Sequence, residues 1–121
     1  NQILKQNLKT AFSTDARHIF WNHLQASGAD YLFAVNDLRI PGPVYGRFGK
    51  VREQGVPQKV NFSVRNPNFR FAYDLTSNRR VALENGQISL DLPACGGKII
   101  IFTHLNYLRL ICFLLLVFLL I

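Results

Sequence analysis

The most constraining feature of the sequence is an alternation of apolar and polar residues between positions 60 and 92. Val60, Phe62 and Val64 are separated by single polar residues, and the pattern resumes over residues 69–75 and 81–92. Successive side chains of a β-strand point to opposite faces of a sheet, so a period of two predicts half-buried antiparallel strands. This span is therefore predicted to form sheets that each bury one face.

The dipeptide Asn85-Gly86 predicts the position of a tight turn. A type I′ turn needs positive φ at both central residues, and Asn-Gly tolerates this conformation best. We therefore expect a hairpin in which apolar side chains meet on one face. The pairs predicted across the turn are Glu84 with Gln87, Leu83 with Ile88, Ala82 with Ser89, and Val81 with Leu90.

Strand-like composition continues on both sides of this span. Residues 20–24 and 31–35 carry aromatic and β-branched side chains around a turn, and a short strand is expected at residues 44–51 among several glycines and prolines. Residues 98–102 are a continuous β-branched run, typical of a central strand covered on both faces. The predicted fold is all-β, an antiparallel β-sandwich of about seven strands.

Helices are expected only at the two ends. Apolar residues recur at three- and four-residue spacing in residues 3–12, which predicts a short amphipathic helix. The C-terminus is apolar from Leu110 onward and predicts a hydrophobic helix. The expected organisation is a connecting helix in residues 1–14, the β-sandwich module in residues 15–103 and a hydrophobic tail in residues 104–121.

The tail leaves three interpretations open. Its unbroken apolar run is shorter than the ~20 residues that span a bilayer. It could be a truncated transmembrane anchor, a helix docked on the module, or an extension past a natural end near Phe102. Because the chain contains no methionine, we expect it to be a piece of a larger polypeptide. The expected location is extracellular or periplasmic, with membrane contact through residues 105–121.

The charge balance is basic, with 14 Lys and Arg against 7 Asp and Glu. Such a balance is compatible with nucleic acid or an anionic membrane as a partner. The basic residues are dispersed, however, and Arg79 and Arg80 are the only adjacent pair. They form no stripe that could follow a phosphate backbone. We therefore expect no nucleic-acid partner.

No residue pattern predicts a catalytic site, a metal site or a bound cofactor. A glycosidase needs two facing carboxylates, and the candidates here, Asp37, Glu53, Asp74, Glu84 and Asp91, lack a supporting motif. Carboxylates at strand ends commonly accept backbone hydrogen bonds in turns, which is the role expected for Asp37 and Asp74. The three histidines, His18, His23 and His104, do not have metal-ligand spacing.

Three large aromatic residues lie outside the strongest alternation: Trp21, Tyr45 and Phe48. Exposed aromatic rings can stack on sugar rings or on a neighbouring domain. Core packing is the commoner role of such residues. We take all three as candidates for glycan or interdomain contact.

Four segments together resemble the C-terminal β-sandwich of secreted glycoside hydrolases. They are residues 30–37 (DYLFAVND), 71–78 (FAYDLTSN), 81–92 (VALENGQISLDL) and 96–102 (GGKIIIF). The resemblance covers residues 16–102. It implies a non-catalytic accessory module that packs against a preceding catalytic domain of the same chain, with carbohydrate as a candidate ligand. The alternative is a membrane-tethered extracellular interaction or adhesion domain.

Overall fold

The computed structural model describes residues 10–104 and 115–120. This part of the chain is mostly β-structure, and its paired strands are antiparallel. It contains ten strands, more than the approximately seven predicted. They are β1 (Phe12–Ser13), β2 (Ile19–Ala26), β3 (Ala29–Asn36), β4 (Arg39–Tyr45), β5 (Lys50–Gly55), β6 (Gln58–Val64), β7 (Phe71–Asp74), β8 (Arg79–Val81), β9 (Gln87–Leu92) and β10 (Gly97–Thr103).

Two of the three sheets share one apolar core, and we call them the two-sheet body. One has the strand order β1-β6-β9 and the other β2-β3-β10-β7-β8. The Phe12 ring lies 4.8 Å from the Phe102 ring, and the Trp21 ring lies 6.0 Å from the Phe62 ring, so side chains of the two sheets meet face to face. Strand β10 is central in the five-stranded sheet, as its β-branched run predicted, but only Ile100 and Phe102, on one of its two faces, belong to the shared core.

The predicted alternation is confirmed in the burial of the strands. In β9, Ile88, Leu90 and Leu92 are buried and the residues between them are exposed. In β6, Val60 and Phe62 are buried in the same way. Removing apolar surface from water stabilises a protein by about 25 cal/mol per Å². Burial of these side chains is therefore the main stabilising contribution to such a core.

The turn at Asn85 and Gly86 and the predicted pairing of Glu84 with Gln87 are confirmed, but the three pairings predicted beyond them are wrong. Both residues have positive φ, of 51° and 69°, and Glu84 and Gln87 exchange backbone hydrogen bonds of 2.9 and 3.1 Å. Beyond that pair the two arms separate into different sheets. Instead of the predicted partners, Val81 pairs with Ala72, Ile88 with Phe62, Ser89 with Asn61 and Leu90 with Val60. Strand β9 pairs with the longer β6, and β8 pairs with the longer β7. A local hairpin between β8 and β9 would leave β6 and β7 without these partners.

The single strand predicted at residues 44–51 is replaced by a hairpin. Strands β4 and β5 form a separate two-stranded sheet, joined by a turn at residues 46–49. Gly46 and Gly49 have φ of 74° and 61°, a conformation that glycine adopts without the steric cost of a Cβ. We call residues 39–55 the ribbon.

The N-terminal helix predicted over residues 3–12 lies largely outside the described residues, but its last three residues are described and are not helical. Phe12 is in strand β1, pairs with Val64 of β6 and is completely buried. The two-sheet body therefore begins before the predicted boundary at residue 15, because the Phe12 ring is part of the core.

Of the tail predicted over residues 104–121, the structure describes His104, which is in a bend, and residues 115–120, which are helical and exposed. The remainder of the predicted hydrophobic helix, residues 105–114 and 121, lies outside the described residues. Across residues 10–104 and 115–120, no helix has the length and apolar character needed to cross a bilayer.

A buried amide joins the ribbon to the two-sheet body. Asn36, at the end of β3, is 1 % exposed. Its Nδ2 donates to the carbonyl oxygens of Val56 (2.7 Å) and Pro93 (3.1 Å), and its Oδ1 accepts from the Leu38 backbone N–H (3.0 Å) and the Gln58 side chain (2.9 Å). Leu38 and Val56 flank the ribbon, so this one side chain holds both of its ends.

Candidate interaction surfaces

The three predicted aromatic contacts separate into two environments. Trp21 is half-buried on the inner face of β2, where it packs against Phe62 and the core. Tyr45 and Phe48 lie on the ribbon and are exposed, at 53 % and 86 %. The structure therefore brings Tyr45 and Phe48 together on one hairpin, whereas Trp21 has the core role.

One face of the ribbon combines an aromatic ring with two cations. Tyr45 pairs with Lys50 across the two strands, and the guanidinium carbon of Arg52 lies 5.8 Å above the Tyr45 ring centroid, within cation–π range. These side chains and Val51 line an open depression of about 420 Å³.

The tip and opposite face of the ribbon are apolar. Phe48 stands at the turn beside Arg47, and Val44 and Val51 pair across the strands with more than half of each side chain exposed. Apolar side chains that no core covers commonly mark interaction sites when they are contiguous. The ribbon therefore presents apolar groups flanked by cations.

A second surface is the face of the five-stranded sheet that points away from the core. Strand register places Phe20 opposite Val35, Leu24 opposite Tyr31, and Ile101 between Tyr31 and Tyr73. Solvent reaches this face mainly along β2 and the end of β3, where Phe20 is 66 %, Leu24 52 % and Val35 48 % exposed, whereas Ile101 at its centre is buried. We call it the outer face, and its apolar and aromatic members are Phe20, Leu24, Tyr31, Phe33, Val35, Phe71, Tyr73, Ile99 and Ile101.

The outer face differs from the usual solvated side of an antiparallel sheet. Such a side normally carries polar residues that alternate with the buried ones. Here strand β3 is apolar or aromatic on both sides, with Tyr31, Phe33 and Val35 outward and Leu32 and Ala34 inward. A contiguous apolar area on a sheet is typical of a surface that packs against another domain or protein.

Two carboxylates considered as catalytic candidates meet at the base of the ribbon. Arg39 donates from Nε (3.0 Å) and Nη2 to Asp37, and from Nη1 to Glu53 (3.0 Å). Hydrogen bonds from the guanidinium to Asp37 and Glu53 raise the pKa of Arg39 above its ordinary value. Both carboxylates therefore belong to an exposed ion-pair cluster that joins the ribbon strands.

Asp74 is buried and has the structural role predicted for it. Its Oδ1 accepts from the Thr76 backbone N–H (2.9 Å), the Thr76 hydroxyl and the Ser77 N–H (3.3 Å), and Lys98 Nζ lies 3.0 Å from Oδ2. Burial acts to raise the pKa of Asp74, but the hydrogen bonds from Thr76, Lys98 and Ser77 outweigh it and hold that pKa well below its usual value. The two remaining carboxylate candidates, Glu84 and Asp91, are exposed.

The histidines lie in separate places. His23 Nε2 is 2.6 Å from Asp30 Oδ2, and its ring packs edge-on against Phe12 at 4.9 Å. His104 Nδ1 is 2.6 Å from the Asn68 carbonyl oxygen, and His18 is exposed. Within residues 10–104 and 115–120, no three His, Cys, Asp or Glu side chains are grouped closely enough to hold a metal ion.

Sequence reasoning missed the outer face and the cations of the ribbon. The outer face had a signal: residues 31–35 are apolar without interruption, which indicates a strand with two apolar sides. The ribbon also had one, because glycines at positions 46 and 49 permit a turn between short strands. A single strand over residues 44–51 would keep Tyr45 and Lys50 apart. The hairpin instead places these two residues opposite each other.

Comparison with models of protein families gave no match, and comparisons with curated proteins and with solved structures gave none. The resemblance to glycoside hydrolase β-sandwiches thus rests on the four sequence segments alone.

Proposed function

We propose that the chain is a non-catalytic β-sandwich accessory module of a larger, secreted carbohydrate-active hydrolase. In this proposal the outer face packs against the catalytic domain, and the ribbon contacts glycans through Tyr45 and Phe48. The apolar outer face is the observation that carries the proposal. Covering Phe20, Leu24 and Val35 with another domain would remove apolar area from water at about 25 cal/mol per Å².

The surroundings of the carboxylates support the non-catalytic part of the proposal. Asp74 is bound by Lys98 and its turn, and Asp37 and Glu53 share Arg39. A glycosidase acid works instead in surroundings that raise its pKa, facing a second free carboxylate. The catalytic carboxylates of the proposed hydrolase would therefore lie in its other domain.

Cysteine labelling tests the packing of the outer face directly. The background variant carries Cys95→Ser and Cys112→Ser, and into it Leu24→Cys is introduced on the outer face. Ser89→Cys, on the exposed side of β9, is the matched control. Maleimide labelling rates are measured for the chain alone and for the longer protein that includes the preceding residues of its reading frame.

Equal labelling of the two cysteines is expected in the isolated chain. In the longer protein, the Leu24→Cys thiol should react at least about tenfold more slowly, because packing excludes the reagent, while Ser89→Cys keeps its rate. The longer protein should hydrolyse a glycoside, and the isolated chain should not. Unchanged labelling of Leu24→Cys, or a reading frame without a preceding domain, would contradict the proposal.

A further inference from the structure

We propose that the ribbon binds acidic polysaccharides, carboxylated or sulfated, in the depression lined by Tyr45, Lys50, Val51 and Arg52. The inference rests on the glycan contact proposed above and names the class of glycan. It follows from three properties of the ribbon: its charge, its apolar surface, and the way its cations are held.

The charge of the ribbon favours an anionic ligand. Arg47, Lys50 and Arg52 all lie in its distal part, and residues 40–52 contain no carboxylate. Glu53 follows, but it is bound by Arg39 at the base of the ribbon. Among the described residues, none of the three distal cations forms an ion pair with a carboxylate. Three positive charges therefore face solvent without internal neutralisation.

The apolar lining favours a sugar over a bare anion. Tyr45 exposes about half of its surface beside Lys50 and Arg52. A sugar ring offers apolar C–H groups on its faces and charged substituents at its edge. Small-ligand sites commonly combine such an apolar lining with a few polar groups that fix orientation. A uronate or sulfated sugar lying on Tyr45 would direct its anionic group toward Lys50 and Arg52, which share its face of the ribbon.

The Arg52 side chain is positioned for this contact. Its guanidinium stacks above the Tyr45 ring at 5.8 Å, which limits its conformations while leaving its N–H groups available. A guanidinium can donate two parallel hydrogen bonds to a carboxylate or sulfate. Because part of the ordering already exists in the free protein, less conformational entropy is lost on binding.

The distribution of the cations favours a polysaccharide over nucleic acid and lipid. A nucleic-acid site needs a basic stripe that follows successive phosphates, and the distal cations of the ribbon are confined to residues 47–52. The apolar tip at Phe48 is the part of the ribbon that would contact a lipid surface. The depression instead lies on the Tyr45 face, where an extended polymer can lie across the strands.

Binding is tested on the full chain with polygalacturonate and heparin as acidic probes and with dextran as a neutral one. Affinity electrophoresis or calorimetry should show binding to an acidic probe, weakening as ionic strength rises, and none to dextran. Lys50→Ala and Arg52→Ala should each weaken binding about tenfold, since each removes a charge-assisted hydrogen bond. Tyr45→Ala should weaken it about fivefold through lost ring contact.

Lys59→Ala is the matched control, because it removes one exposed positive charge from β6 and leaves the ribbon intact. It should bind the acidic probe as the wild type does, and all four variants should keep the wild-type circular dichroism. Equal losses for Lys59→Ala and Lys50→Ala would show unspecific attraction and overturn the proposal. Preference for dextran would overturn it too while leaving the glycan contact of the module in place. Binding to anionic vesicles or single-stranded DNA with neither acidic polysaccharide bound would also overturn it.

Discussion

The two-sheet body and the ribbon are both antiparallel β-structure, yet they use their apolar residues in opposite ways. In the body, Phe102 and Phe62 are completely buried, whereas in the ribbon Phe48 is among the most exposed residues. A strand pair forms its ladder without a second layer, but its apolar side chains leave water only where another sheet covers them. The body is therefore expected to carry the stability of the protein and the ribbon to be free for binding.

Matched Phe-to-Ala substitutions in the two regions should give the largest contrast. Phe102→Ala leaves a cavity beside Phe12 and Phe69 and should lower the free energy of unfolding by about 3–5 kcal/mol. Phe48→Ala, at the exposed tip, should change it by less than about 0.5 kcal/mol. Urea denaturation of both variants measures the difference. Comparable losses would mean that the ribbon tip also packs in a core.

Removing the cation beside Asp74 should have the next largest effect. Lys98→Ala leaves a buried carboxylate with its turn hydrogen bonds but without its ion-pair partner. The expected loss of stability is about 2–3 kcal/mol, as for other charge-assisted contacts of buried groups. Lys59→Ala serves as the exposed control, with a change below about 0.5 kcal/mol. If Lys98→Ala did not change the free energy of unfolding, we would infer that the Asp74 carboxylate is in contact with solvent.

Asp74 should also make the stability of the body depend on pH. Its pKa is lower in the folded chain than the ordinary value of 3.8, so the unfolded state binds more protons as the pH falls. The stabilisation is present above that ordinary value and is lost as the pH falls through the folded-state pKa. The stability difference between wild type and Asp74→Asn should therefore be greatest near neutral pH and shrink toward about pH 2. A difference that stays constant from neutral to acidic pH would contradict this role.

The connection between the two regions can be weakened at Asn36 with a smaller effect. Asn36→Ala removes hydrogen bonds to Val56, Pro93 and Leu38 inside the protein and should cost about 1–2 kcal/mol. Amide exchange in the ribbon should accelerate more than exchange in β10, because Asn36 holds both ends of the ribbon. Asn61→Ala, whose side chain is exposed, is the control. Uniform acceleration in both regions would show that the ribbon and body unfold together.

Much of the two-sheet body was predictable because the relevant signals are local. The alternation around Phe62 and Ile88 follows from which face of a strand each residue occupies, and the central position of β10 from its β-branched run. The Asn85-Gly86 turn was predictable because its two φ angles are decided by those residues themselves. Tyr45 and Phe48 were named from the sequence as candidate contacts, whereas the placement of Lys50 and Arg52 beside Tyr45 came only with the hairpin.

The sequence by itself determined the strand character, the inward and outward sides of most strands, and the tight turn before β9. Only the tertiary structure decided that β9 joins β6 while β8 joins β7, that the outer face is left uncovered by the second sheet, and that Tyr45 meets Lys50. The physical reason is the distance along the sequence between the residues that interact. Backbone angles and side-chain alternation depend on residues close in sequence, whereas strand partners and burial depend on contacts between distant residues, which compete for the same core.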